Sequence, residues 1–327
     1  MVAIVILNWN GWQDTIECVK SIQLVECVDC CTVIVDNGST DSSVGQITEF
    51  FQQKKIRFFS ICEGEVLQDS ILSKDVVLYK LKQNYGFAKG NNLGIKLLLG
   101  QKVDYYWILN NDTVVDKKSL KILNDFMDVN KRYYACTPQI RYFTPNNRIW
   151  NCGGRLFFGL RKNYFNNQDD VEFKKEYFDI SYVTGCALFI RPDILNKGGK
   201  LFTEQFFFGE EDFEFSLRMK EQKKLMACCV RSIIYHKVSA SINKKPKLSA
   251  IYIHYLNRYI NIRQHFSISK FFFWRVVNNI YLKRQLVKHR YKAETIKKFV
   301  SRLNSECFLY EGVSKEMFDN IRISEDN

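Results

Sequence analysis

The sequence holds little proline or glycine and no long apolar run, and these shortages exclude several classes of protein. Its 327 residues include only 4 Pro and 16 Gly, which excludes a collagen-like chain or a long low-complexity linker. The best candidate for a membrane span, residues 271–282, is interrupted by Arg275, Asn278 and Asn279, so no transmembrane helix is expected. Residues 1–7 are apolar but have no basic segment before them and no cleavage site after them, so no signal peptide is expected.

Two nucleotide-binding signatures are missing as well. No Gly-x-Gly-x-x-Gly follows the first apolar run, and no Gly-x-x-x-x-Gly-Lys-Ser/Thr occurs anywhere. The first absence argues against a dinucleotide-dependent dehydrogenase, and the second argues against a P-loop nucleoside triphosphatase.

The 11 cysteines are odd in number and irregularly spaced. A chain of this length needs no disulfide framework, so reduced thiols in a cytosol are the simplest interpretation. Cys27, Cys30 and Cys31 look like half of a zinc site, but no second Cys-x-x-Cys or pair of histidines follows. The pattern therefore favours ordinary cysteines over a metal site.

The sequence is rich in hydrophobic residues, and its charged residues are unevenly distributed. Hydrophobic residues make up 46% and aromatic residues 15%, which suffices for one large α/β domain with an appendage. The net charge is +13, yet the stretch from Lys237 to Arg302 holds 16 Lys and Arg and a single acid, Glu294. The basic character therefore belongs to a tail and not to the body of the protein.

Strand and helix patterns alternate over the first 140 residues, which is typical of parallel strands joined by crossover helices. Apolar runs predict strands at residues 2–7, 32–35, 76–81 and 105–109. Helical spacing predicts helices at residues 12–24, 43–51, 87–99 and 117–129. Beyond residue 140 the pattern predicts strands at 182–190 and 225–230, a helix at 213–220, and mostly helix from 247 onward.

Three predicted strands end in polar segments, residues 8–11, 36–41 and 110–113. Ligands of open α/β sheets bind at the carboxyl ends of the strands, but such segments also suit helix caps, so both interpretations stay open. The acidic segment 209–214 is either a helix start or a general base among aromatic residues. His236 is either structural or a ligand.

Six sequence blocks and one histidine match, in their order along the chain, segments of a known protein family. They are VAIVILNWNG (2–11), VIVDNGSTD (33–41), NYGFAKGNNLG (84–94), LNNDT (109–113), TGCALFIR (184–191), GEED (209–212) and His236. Together they resemble the family-2 glycosyltransferases of GT-A fold, particularly bacterial rhamnosyltransferase-like members. The resemblance implies an α/β fold with a mainly parallel, Rossmann-like sheet and helices on both faces. We expect this domain over residues 1–240, with a nucleotide-binding half (1–115) and an acceptor and catalytic half (116–240), before a basic, aromatic-rich helical region (241–327).

The resemblance also implies roles for residues at matching positions. The residues implied to lie near the nucleotide are Leu7, Trp9, Asp36, Gly86, Asn92 and Asn111. Asp112 and His236 are implied to bind Mn²⁺ or Mg²⁺, although the first acidic position of the family's DxD motif is Asn110 here. Asp212 is implied to be the catalytic base, with Glu211 as a supporting or acceptor-contacting acid and Gly185 at the acceptor.

The implied reaction is inverting, metal-dependent transfer of a sugar from a nucleoside-diphosphate donor, dTDP-rhamnose or a UDP-sugar, to a glycan or lipid-linked hydroxyl. Its expected context is bacterial cell-surface polysaccharide synthesis. Two alternatives stay open: a non-catalytic sugar-nucleotide-binding protein that recruits partners to membranes, and a sugar nucleotidyltransferase. Nucleotidyltransferases usually carry a glycine-rich basic loop after the first strand, which residues 8–12 do not provide.

The basic tail interleaves its cations with aromatic residues, a pattern typical of helices that lie on anionic membrane surfaces. We expect residues 241–302 to associate with the inner face of the cell membrane on an otherwise cytoplasmic protein. A compatible alternative is a helical subdomain whose aromatic residues pack inward, and nucleic-acid binding is the lesser interpretation. Residues 60–75 are interpreted as a surface insertion, and alternatively as a lid.

Overall fold

The computed structural model describes residues 1–26, 28–67, 73–157, 160–238 and 247–326. Its strands are β1 (Val2–Asn8), β2 (Cys30–Asp36), β3 (Phe58–Cys62), β4 (Val76–Lys80), β5 (Tyr105–Asn110), β6 (Thr113–Val115), β7 (Tyr133–Tyr142), β8 (Ile149–Asn151), β9 (Gly154–Phe157), β10 (Leu160–Asn163), β11 (Tyr177–Ile180), β12 (Ala187–Ile190) and β13 (Leu225–His236). Its helices are α1 (Trp12–Gln23), α2 (Ser43–Gln53), α3 (Phe87–Leu97), α4 (Ser119–Val129), α5 (Glu211–Glu221), α6 (Leu248–His265), α7 (Ile268–Lys288), α8 (Ala293–Leu309) and α9 (Lys315–Asp326).

Eleven of these strands form one mixed sheet in the order β11-β13-β7-β12-β5-β1-β2-β4-β3, with β6 paired to β13 and β8 paired to β7. Strands β3, β4, β2, β1 and β5 run parallel to one another. Strand β12 is antiparallel to both of its neighbours, β5 and β7. Strands β9 and β10 form a separate two-stranded ribbon.

The central strands are buried on both faces because helices cover each side of the sheet. Every residue of β2 is buried. In β1, Val5 packs in one apolar cluster with Ile95 of α3, while Ile4 packs in a second cluster with Val19 of α1. This burial explains the continuous apolar runs of the sequence. It confirms the expected α/β fold with a mainly parallel sheet and helices on both faces.

Some predicted elements need correction. The strand predicted at 182–190 is shorter, because only β12 joins the main sheet there. Tyr182 instead pairs its backbone with Gly154, and both its hydroxyl and the amide of Gly185 donate hydrogen bonds to Asp212. The strand predicted at 225–230 continues to His236 as β13.

Several strands carried too weak a pattern to be predicted, namely β3 and those between residues 133 and 180. Strand β3 extends the parallel sheet at its edge and overlaps the start of the 60–75 segment. Residues 68–72 of that segment lie outside the described residues. Cys27 of the half zinc site also lies outside them, and the other ten cysteines are free.

The basic C-terminal region packs on the body through α6. Nδ2 of Asn257 donates hydrogen bonds to the carbonyl oxygens of Phe208 (3.0 Å) and Gly209 (2.8 Å). Tyr252 and Tyr259 are buried in a third apolar cluster, so the aromatic residues of α6 pack inward. Within the described residues, no helix combines the length and apolar character needed to cross a bilayer.

Replacing Arg258 of α6 with leucine is expected to lower the free energy of unfolding by roughly 3 kcal/mol, because it leaves the charge of buried Glu210 poorly compensated. The side chains of Arg258 and Glu210 are only 7% and 1% exposed. The effect should lie at the low end of the range for buried pairs, since Arg161 and His254 also contact Glu210. Urea unfolding measures the change. Arg284→Leu on the exposed face of α7 is the control, and equal stability of the two variants would contradict the coupling of α6 to the body.

Candidate active site

The carboxyl ends of β1, β2 and β5 are joined by a chain of side-chain hydrogen bonds. Nδ2 of Asn8, at the end of β1, donates to Oδ1 of Asp36 at the end of β2 (2.8 Å). Oδ1 of Asn8 accepts a hydrogen bond from the Thr15 hydroxyl (2.8 Å), and Nδ2 of Asn111, after β5, donates to that hydroxyl oxygen (3.1 Å). Because parallel strands end at the same edge of the sheet, residues far apart in sequence meet here.

A cavity of about 540 Å³ opens at this edge of the sheet. Six of the residues predicted from sequence line it: Leu7, Asn111, Asp112, Gly185, Glu211 and Asp212. The structure thus brings the predicted metal-binding, acceptor-binding and catalytic residues together from separate segments of the chain.

Asp112 lies beside His236 because the end of β13 pairs with β6, which places His236 opposite Thr113. Nε2 of His236 is 3.1 Å from Oδ2 of Asp112, and Trp150 packs edge-to-face on the imidazole with ring centroids 4.6 Å apart. Oδ1 of Asp112 and Nδ1 of His236 are buried and have no hydrogen-bond partner among the described residues. Such atoms are rare in native proteins, and here they lie on the two residues that the sequence predicts to bind a metal.

The surroundings of His236 favour the protonated, positively charged form of its imidazole. Burial lowers the pKa of His236, but Cys186 and Asp112 outweigh this effect and raise the pKa to about 10. A divalent cation competes with that proton for a carboxylate oxygen and an imidazole nitrogen, so the residues present fit a metal. The described residues contain no group of three or more His, Cys, Asp or Glu that could hold an ion. Phosphate oxygens and water would therefore supply the remaining ligands.

Asp212 lies in the first turn of α5, where the helix dipole favours a negative charge. Its Oδ2 accepts hydrogen bonds from the Tyr182 hydroxyl (2.8 Å) and the Gly185 amide (3.3 Å). Its Oδ1 is 3.8 Å from Nη1 of Arg161, and 20% of the side chain is exposed. These contacts orient the carboxylate at the cavity wall without covering it.

Glu211, the preceding residue, is held as a neutral acid. Burial raises its pKa to about 8, although Oε1 accepts a hydrogen bond from the Gly209 amide that acts in the opposite direction. At neutral pH this carboxyl group is mostly protonated, so it is a poor proton acceptor.

Glu210 is the opposite case, a fully buried anion. Burial alone would raise its pKa, but Arg258, His254 and Arg161 hold the pKa well below its usual range. Nδ1 of His254 is 3.0 Å and Nη1 of Arg161 is 3.4 Å from Oε1 of Glu210. Its negative charge is therefore used in ion pairs that stabilise the fold.

A second cavity, of about 290 Å³, adjoins the first. The two share Leu7, Phe87 and Phe208 in their walls. Two further residues predicted to contact nucleotide, Trp9 and Gly86, line the smaller cavity. The larger cavity is rich in acids and amides, whereas the smaller one is walled mainly by apolar and aromatic side chains.

Two predicted nucleotide residues lie outside both linings. Asp36 is 2% exposed, and its carboxylate accepts hydrogen bonds from Asn8 and Ser39. Asn92 is 3% exposed, and within the described part of the chain its side-chain amide hydrogen-bonds with residues 201–204. The structure does not bring Asn92 to the cavities, because its hydrogen-bonding capacity is used to hold that segment against α3.

More than half of the sequence carries a family signature. Residues 3–199 match the profile of the family described as Glycosyl transferase family 2. The chain belongs to this family. The match confirms the resemblance, while the roles of all the individual site residues stay predictions; Glu211, Asp212 and His236 also lie beyond the matched residues. A sequence search of curated proteins found no match.

The fold of this family-2 glycosyltransferase is similar to several solved structures. TarS 1–349 of S. aureus has 15% identity and a TM-score of 0.51, over 88% of this chain and 72% of that one. A mannosyltransferase of Pyrobaculum calidifontis in complex with GDP-Man and Mn²⁺ has 10% identity and a TM-score of 0.56, over 98% and 84%. GalNAc-T7 with UDP, GalNAc and Mn²⁺ has 12% identity and a TM-score of 0.58, over 98% and 56%. These likenesses confirm the GT-A fold, and family and fold together support sugar transfer.

Sequence analysis missed several side chains of the larger cavity, among them Trp150, Arg161, Tyr182 and His254. Tyr182 lies two residues before the TGCALFIR block, so its position next to a motif was a usable signal. Arg161 and His254 lie in segments without any motif, and only the fold brings them to the acids at 210–212.

The neutral state of Glu211 predicts a dependence of stability on pH. The folded protein keeps a proton that the unfolded chain releases above its ordinary pKa of 4.5, so this group makes stability fall as pH rises from about 4.5 to about 8. The slope is at most ~1.4 kcal/mol per pH unit. Glu211→Gln keeps the shape and removes the titration, so its stability should exceed that of the wild type increasingly toward pH 8.

Urea unfolding of both proteins at pH 5, 6, 7 and 8 measures the difference. Glu172→Gln, at an exposed position, is the matched control and should follow the wild type. A Glu211→Gln curve that runs parallel to the wild-type curve would show that Glu211 is ionised when folded.

Proposed function

We propose that this family-2 glycosyltransferase is an inverting, metal-dependent enzyme that transfers a sugar from a nucleoside-diphosphate donor to a hydroxyl of a glycan or lipid-linked acceptor. The observation that carries the proposal is the meeting of Asp112 and Asp212 in one cavity of about 540 Å³, which adjoins an apolar cavity beside Trp9. The first can take a diphosphate and a sugar, and the second can take a base.

The charge states of the three consecutive acids support Asp212 as the base. Arg258, His254 and Arg161 lower the pKa of Glu210 and keep it ionised, and the raised pKa of Glu211 keeps that residue protonated near neutral pH. Asp212 accepts the proton of the acceptor hydroxyl while that oxygen bonds to the anomeric carbon and the bond to the diphosphate oxygen breaks. A single base and direct displacement from the opposite face invert the configuration.

Asp112 and His236 would hold Mn²⁺ or Mg²⁺. When bound, such an ion neutralises charge on the diphosphate leaving group. The two similar structures solved with Mn²⁺ and nucleotide or nucleotide sugar support this role. The donor is proposed to be dTDP-rhamnose or a UDP-sugar, in the synthesis of a bacterial cell-surface polysaccharide.

Asp212→Asn is expected to lower the rate of sugar transfer at least ~100-fold, because a general base contributes about 10²–10⁴-fold. Release of nucleoside diphosphate from a panel of dTDP- and UDP-sugars measures the rate. Binding of the nucleoside diphosphate with Mn²⁺ should stay within about 3-fold of the wild type. Normal turnover by Asp212→Asn would remove Asp212 from the base role.

Asp112→Ala is the matched comparison, since it removes a carboxylate from the same cavity. It should weaken Mn²⁺-dependent nucleotide binding about 10-fold or more, whereas Asp212→Asn should not. The same assay separates the alternatives: a nucleotidyltransferase releases pyrophosphate from a nucleoside triphosphate and a sugar phosphate, and a non-catalytic binding protein releases neither product.

We further propose that the outer face of α7 rests on the inner surface of the cell membrane, with the body on the cytoplasmic side. This helix contains five Lys or Arg and no acid in its sequence ISKFFFWRVVNNIYLKRQLVK. Phe272, Phe273, Ile280 and Tyr281 are 43%, 59%, 50% and 56% exposed. Exposed apolar side chains beside cations suit an anionic bilayer surface.

The double variant Phe273→Ser and Ile280→Ser is expected to bind vesicles containing anionic phosphatidylglycerol several-fold less than the wild type, because it removes apolar insertion and leaves the cations in place. Co-sedimentation measures binding, with neutral phosphatidylcholine vesicles as the lipid control. Leu24→Ser, which is exposed on the body, is the protein control. Equal binding of all three proteins, or tighter binding to an oligonucleotide at matched salt, would contradict a membrane face.

A further inference from the structure

The smaller cavity has a wall that comes from the far end of the chain. Besides Trp9 and Gly86, its lining includes Phe318 and Arg322 of α9. We propose that α9 is part of the nucleotide site and that Phe318 contacts the base of the nucleoside diphosphate. The inference rests on the proposed function. It adds Phe318 to the proposed nucleotide-binding residues, and Phe318 lies outside the residues matched by the family profile.

A continuous set of backbone hydrogen bonds holds α9 at this place. The amide of Phe87, at the start of α3, donates to the carbonyl of Phe207 (3.1 Å). The amide of Phe207 donates to the carbonyl of Val313 (2.8 Å), and the amide of Val313 donates to the carbonyl of Gln205 (2.8 Å). Segment 205–207 therefore lies between the NYGFAKGNNLG block and the residues that lead into α9.

Two glycines make this close stacking of backbones possible. Gly86 has φ +83°, and a Cβ there would lie 2.0 Å from the carbonyl oxygen of Phe207. A Cβ at Gly312 would lie 2.1 Å from the carbonyl oxygen of Gln205. Any larger residue at either position would force segment 205–207 or the backbone packed against it to shift. Close backbone packing on both sides of segment 205–207 thus fixes the position of α9.

The chemistry of the wall suits a flat heteroaromatic ring. The ring of Phe318 packs on that of Phe207 with centroids 5.0 Å apart and on that of Phe208 with centroids 6.3 Å apart. Trp9, across the same cavity, is 53% exposed. Bases stack on aromatic side chains regardless of their hydrogen-bonding edges. Lys315 is already paired with Asp319 at 2.6 Å, so we assign the contact to the ring and not to that ammonium group.

Phe318→Ala tests the assignment in the full-length chain. The probes are UDP, dTDP and GDP, each with Mn²⁺, and inorganic pyrophosphate with Mn²⁺ as a probe that has no base. Calorimetric titration should show a dissociation constant raised roughly 10-fold for the nucleotide that the wild type binds best, in line with the loss of one stacking partner. Pyrophosphate binding should be unchanged, because this probe has no base to stack on the ring.

Met317→Ala is the matched control, because Met317 and Phe318 both pack against the third apolar cluster, whereas of the two only Phe318 lines the cavity. It should bind nucleotide like the wild type even where its thermal stability is lower. Equal losses in both variants, a parallel loss of pyrophosphate binding, or wild-type affinity in Phe318→Ala would each overturn the role of Phe318. If the wild-type chain binds none of the three nucleotides, the proposed function itself fails, and this inference with it.

Discussion

The buried carboxylate of Glu210 is the interaction on which the catalytic face depends. It is 1% exposed at its side chain and contacts Arg161 of β10 and both His254 and Arg258 of α6. An uncompensated charge in the interior costs several kcal/mol, so the elements that supply these partners stay together. The same contacts hold the left-handed backbone of Glu210, with φ +70°, which costs about 1–2 kcal/mol for a residue with a Cβ.

This anchor explains how three consecutive acids can have three different properties. Glu210 is fixed as an anion by cations, and Glu211 is kept neutral by burial. Asp212 follows one residue later, in the first turn of α5 and partly exposed to the cavity. The tight turn into the helix sends the three side chains into different surroundings, so adjacent positions carry different chemistry.

The basic C-terminal region is likewise not uniform. Some of its cations are paired with acids: Arg258 with buried Glu210, Arg263 with Glu311, and Arg302 with Glu306 on the same helix. Four cations of α7, Lys270, Lys283, Arg284 and Lys288, are instead exposed, on a helix that also exposes aromatic side chains. A net charge counted along the sequence cannot make this distinction, because it depends on which face of each helix meets the body.

The sequence by itself determined the parallel half of the sheet, because strands buried on both faces need continuous apolar runs that are visible locally. It also placed Leu7, Asn111 and Asp112 at strand ends, where the topology of any parallel sheet brings them together. Only the tertiary structure decided that Asn92 holds a neighbouring segment, that residues 182–186 leave the sheet, and that α6 and α9 reach the two cavities. Those outcomes depend on contacts between residues from 27 to 112 positions apart, for which the periodicity of a single segment contains no signal.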